Sequence, residues 1–128
     1  MIEKRLICPK ALRKIPKNFS WLDHRMVRDR HIDRCSHQAA ALYLFLVTVA
    51  DSQGLSYYSD QTLCKRLHMD DQVLARARQD LIEFGLIAFQ KPLYQVLALD
   101  TPHQDAERLP SQLQSLAQIF KHIGEGAS

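Results

Sequence analysis

Four glycines in 128 residues leave little material for a loop that wraps phosphate in backbone amides. No G-x-x-x-x-G-K-S/T, G-x-S-x-G or paired-carboxylate motif occurs, so an enzymatic role is not expected. Cysteine is equally sparse. Cys8, Cys35 and Cys64 are odd in number and far apart, which argues against a disulfide framework and for reduced thiols. His31, Cys35 and His37 lie near one another in sequence, yet no C-x-x-C or H-E-x-x-H spacing is present. No metal or other cofactor is expected. The longest apolar run, Ala39 to Ala50, includes Tyr43 and Thr48 and falls short of the roughly 20 residues a membrane-spanning helix needs. The basic N-terminus lacks an apolar core followed by a small-residue cleavage site, so a cytoplasmic location without membrane contact is expected.

What is present suits one compact domain with arms: 46% of residues are hydrophobic and 24% charged, the balance of an ordinary globular protein. The net charge of +3 is unevenly spread. Residues 1–35 hold ten basic and four acidic side chains, a net of +6. Residues 36–100 hold five and seven, a net of −2, and residues 101–128 hold two and three, a net of −1. Any attraction to phosphate must therefore draw on the first quarter of the chain.

Three regions follow. Residues 1–20 carry Lys4, Arg5, Lys10, Arg13, Lys14 and Lys17 among Pro9 and Pro16, which block a continuous helix; this reads as an extended basic arm. A compact domain is expected over 21–100. It opens with a short helix at about 22–32, with Phe19, Trp21 and Leu22 anchoring it and Arg25 and Arg28 on the opposite side. Ser36 caps a second helix running to about Ala50, apolar nearly all round and therefore central. Asp51-Ser52-Gln53-Gly54 ends it, and Leu55 to Tyr58 is a short strand candidate. The third region, 101–128, begins with Thr101-Pro102 as a linker. Leu109, Leu113, Leu116, Phe120 and Ile123 then recur at spacings of 4-3-4-3, the seam of an amphipathic helix suited to a homodimer contact or to intramolecular packing.

The middle of the domain is the informative part. Ser59 caps a helix holding Leu63 and Leu67 on one face, His68-Met69 is a turn, and Asp70 caps the next helix. That helix, 71–84, places Leu74, Ala77, Leu81 and Phe84 at spacings of three, four and three. Gly85 occupies a left-handed stop position. Strands are expected over 86–89 and 93–99, joined through Gln90-Lys91-Pro92. A helix, a short turn, a second helix and then a hairpin is the helix-turn-helix arrangement with a wing. The fold class is thus mainly α with a small β-hairpin wing, flanked by a basic N-terminal arm and a C-terminal amphipathic helix.

The residues Ser59-Asp60-Gln61-Thr62-Leu63-Cys64-Lys65-Arg66-Leu67-His68-Met69, with Asp80-Leu81-Ile82-Glu83-Phe84-Gly85-Leu86-Ile87, resemble the winged helix-turn-helix superfamily. The nearest flavour is that of plasmid replication initiators and bacterial transcription repressors. The resemblance covers residues 36–99 and implies double-stranded DNA as partner, in transcription control or in replication and mobile-element maintenance. It makes 71–84 the recognition helix, with Gln72 and Gln79 facing adenine edges and Arg76 a guanine or phosphate. Arg78 stands where the pattern carries an aliphatic residue and is expected to snorkel towards a phosphate. Lys65, Arg66 and Lys91 become backbone contacts, joined by Arg13, Lys14, Lys17, Arg25 and Arg28 of the basic segment. The chain departs from the pattern at Asp70 and Asp71, acidic where such families favour Ser, Thr, Arg or Lys. That pair favours the alternative implication, a winged module that docks a protein within a larger nucleoprotein assembly.

Overall fold

The computed structural model describes residues 2–99. The linker and seam expected after residue 100, and the homodimer contact they suggested, lie outside the described residues. The described chain is a mixed α/β structure of four helices and a three-stranded antiparallel sheet.

Its centre is helix α2, His37–Val49, started by Ser36, whose Oγ accepts from the Ala39 amide at 3.0 Å. Ala39, Leu42, Tyr43, Leu46 and Val47 are buried along it, as a helix with no polar face requires. Asp51 then turns the chain by accepting from the amides of Gln53 and Leu55. Gly54, at φ +85°, accepts from the Val96 amide through its carbonyl, and a Cβ there would sit 2.7 Å from the Val96 carbonyl oxygen. This close approach lays β1, Leu55–Tyr57, beside the last strand.

Helix α3, Asp60–Leu67, is capped by Ser59, which accepts from the Thr62 amide at 3.1 Å. Helix α4, Asp71–Glu83, is capped by Asp70, which accepts from Val73 at 2.8 Å. Leu74, Ala77 and Leu81 turn inward from α4 against α2 and α3, where Leu42, Leu46 and Leu63 are fully buried. Gly85, at φ +75°, ends the helix: its amide donates to Ile82, and that of Leu86 donates to Leu81. The chain turns directly into β2, Ile87–Gln90, and β3, Leu93–Val96, with sheet order β1-β3-β2. Tyr94, wholly buried, closes the core from the sheet side.

The expected strands are displaced by a residue or cut short. β2 begins at Ile87 because Leu86 is still engaged in the helix stop, and β3 ends at Val96, although the Leu97 amide donates to Leu86.

The first third departs further from expectation. In place of a helix over 22–32 there is one turn, α1, Arg25–Arg28, and a separate 3-10 turn, Ile32–Arg34. Arg30, at φ +62°, breaks the continuity between them. Met26 is buried, but Phe19, Trp21 and Leu22 are 62%, 74% and 51% exposed. They do not anchor the segment; Met26 and the hydrogen bond from Ser20 Oγ to the Thr48 carbonyl do. All of residues 2–22 are exposed, with a 3-10 turn at Pro9–Ala11. Among the described residues no helix is long and apolar enough to cross a membrane.

Candidate nucleic-acid interface

Burying Leu74, Ala77 and Leu81 at helical spacing forces the residues between them outward. Gln72, Ala75, Arg76 and Gln79 are accordingly exposed in one stripe along α4. Arg76 has no ion pair or hydrogen bond among the described residues. The Gln79 side chain donates to Glu83 Oε2 at 3.3 Å, so its amide is partly occupied on the free protein.

Five contacts hold this stripe outward. At its start, the Cys64 thiol of α3 donates to Asp71 at 3.4 Å, and burial together with that bond pushes the thiol's pKa up. In its middle, the Arg78 guanidinium donates to Asp60 Oδ1 at 2.9 Å and to the Tyr94 hydroxyl at 2.8 Å. The same group lies 4.4 Å from the centre of the Phe89 ring. At its end, Arg34 lies over Phe84 at 4.9 Å. Arg78 thus ties α4 to the start of α3 and to both strands of the hairpin. Desolvation works against its charge, but the bonds to Asp60 and Tyr94 outweigh it and raise its pKa.

Arg78 is a correction to the expectation of a phosphate contact. Its side chain is 14% exposed and is drawn inward by Asp60. It follows Leu74 by four residues and precedes Leu81 by three, so it belongs to the inner face. Sequence pattern alone gave no sign of the partners, Asp60, Phe89 and Tyr94. Arg25 is engaged within the protein. It clasps Asp23 at 2.6 Å, and that hydrogen bond holds the Asp23 carboxyl down to about 2. Arg28 is exposed but lies 3.7 Å from Asp29.

The remaining candidates are open to solvent. Lys65 and Arg66 are exposed at the end of α3, Arg66 reaching over Phe45 at 5.6 Å. Lys91 is exposed in the turn between β2 and β3, whose strands Arg78 braces against α4. Arg13, Lys14 and Lys17 are exposed on the N-terminal segment. The acidic groups Asp70, Asp71 and Glu83 are exposed on α4 or at its cap. Among the described residues no group of three or more His, Cys, Asp or Glu could hold a metal ion. The arrangement is that of a rigid polar helix face with cations beside it, which suits hydrogen bonding to a ligand surface. No family model, curated protein or solved structure matches this chain.

Proposed function

We propose that this chain is a double-stranded-DNA-binding protein of the winged helix-turn-helix kind, acting in transcription control or in replication and mobile-element maintenance, and not an enzyme. Helix α4 enters the major groove, where Gln72 and Gln79 meet adenine edges and Arg76 meets guanine or phosphate. Lys65, Arg66 and Lys91 hold the flanking backbone, and the basic segment through Arg13, Lys14 and Lys17 follows the duplex beyond them. The observation that carries this reading is the outward, exposed stripe on α4, with Arg76 unpaired among the described residues, on a helix fixed at both ends and in the middle. The element order, helix, strand, two helices and hairpin, supports it.

Selection of binding sites from random duplex, followed by mobility shift, tests the reading. Arg76→Ala should weaken the selected site by about 1–3 kcal/mol and relax preference at one base position, with thermal unfolding unchanged. Retention of no duplex even at low salt would overturn it. Asp70, Asp71 and Glu83 favour a second reading in that case, a basic protein surface docked on the same face.

A further inference from the structure

We propose that a groove at the base of the sheet is the seat of this chain's own apolar row, Leu109 to Ile123. The groove is a cavity of about 720 Å³. Tyr43 and Val47 of α2, both buried, lie in its floor, and Phe19, Trp21, Leu97 and Leu99 line its walls. Both wall aromatics stand mostly in water, Trp21 at 74% exposure, and aromatic surface of that size calls for a cover. The charged groups at the rim are already engaged. Arg25 is clasped to Asp23, and the Asp51 carboxylate accepts from two backbone amides. An apolar occupant therefore leaves no charge stranded.

The chain itself supplies such an occupant. Leu99 is a wall residue, and 29 residues follow it, 128 less 99. The ten residues from Leu99 to Leu109 span at most roughly 35 Å when extended, enough to bring the row to any part of the groove. Leu109, Leu113, Leu116, Phe120 and Ile123 fall on one stripe at helical spacing. Fifteen residues are marginal as an isolated helix in water, so the row needs a surface to pack on. A short tether holds it near the groove at an effective concentration on the order of millimolar, which favours the chain's own row over that of a second copy. Lys91 precedes β3 whereas Gln95 to Leu99 line the groove, so the seat lies at the end of the strand away from the hairpin turn. A duplex against α4 and Lys91 leaves it uncovered.

Trp21 is the chain's single tryptophan and reports on the seat directly. In the full-length protein, without nucleic acid, acrylamide should quench Trp21 poorly. The triple variant Leu113→Asp, Leu116→Asp, Phe120→Asp should raise quenching towards that of N-acetyl-tryptophanamide and shift emission to the red. Gln114→Asp with Gln118→Asp, on the opposite side of the row, should change neither. If the triple variant loses its cooperative melt, Leu113→Ala with Leu116→Ala gives the same reading through a milder change. Equal quenching in the wild type and the row variants overturns the proposal. So does shielding that disappears on dilution together with a dimeric mass in light scattering, because a second copy is then the occupant. Neither result bears on DNA binding.

Discussion

The packed region from Ser36 to Leu99 and the exposed segment from Ile2 to Leu22 divide between them the requirements that the proposed DNA binding makes. The packed region has shape: capped helices, a closed core and a helix whose outer face is fixed in direction. Its charge is unfavourable for phosphate, since residues 36–99 sum to −1 and two aspartates stand at the start of α4. The N-terminal segment has the reverse character. It buries nothing, yet Lys4, Arg5, Lys10, Arg13, Lys14 and Lys17 lie on it against one acid, Glu3. A rigid reader with weak attraction and an attractive arm without shape complement one another, provided that both reach the same duplex.

The largest effect should come from removing charge where there is no shape. Arg13→Ala, Lys14→Ala and Lys17→Ala together should lower affinity by about a hundredfold at physiological salt and reduce the salt slope by about three, as each cation releases about one counterion. Binding measured by anisotropy across a salt series checks this, and the melting curve should not move, since all three are exposed. The converse change removes shape. Arg78→Ala deletes charged hydrogen bonds to Asp60 and Tyr94 and the stack on Phe89, and should cost about 2 kcal/mol in urea unfolding while the salt slope stays unchanged. Arg78→Lys should recover little of it, because the planar stack is lost.

A smaller gain is available in the turn between α3 and α4. His68 sits at φ +57°, a conformation that glycine adopts without steric cost, so His68→Gly should raise stability by about 0.5–1 kcal/mol. The smallest effect is one of pH. Burial raises the Tyr94 hydroxyl above its ordinary 10.0, so the folded state resists forming the phenolate. Its contribution is complete below pH 10 and is lost as pH climbs through the raised value. Tyr94→Phe should flatten that alkaline limb of the stability curve, followed by circular dichroism.

Much of the packed region could be read from sequence because its signals are local. Ser36, Ser59 and Asp70 each cap the helix they precede, and Gly85 takes the left-handed stop that its place after Phe84 implied. The outward stripe on α4 followed from the spacing of Leu74, Ala77 and Leu81. What escaped depends on partners distant in sequence. Arg78, at an aliphatic position of the pattern, is expected to reach outward to a phosphate, and only Asp60, eighteen residues earlier, and Tyr94, sixteen later, show where its charge goes. Phe19, Trp21 and Leu22 looked like a docking anchor because bulky apolar residues usually are buried, but burial needs a facing surface, and composition does not name one. The short helix at 22–32 failed for a local reason after all: no glycine warned that Arg30 would turn left-handed.

A titration of the ¹⁵N-labelled protein with a selected duplex, followed by amide chemical shifts, reports most directly on whether α4 presents its free face to DNA. Gln72, Ala75, Arg76 and Gln79 should show the largest changes, with Lys91 and the segment around Lys14 next, while the amides of α2 stay in place. Changes confined to the N-terminal segment, with α4 silent, would contradict the account and leave only a charged tail in contact with nucleic acid.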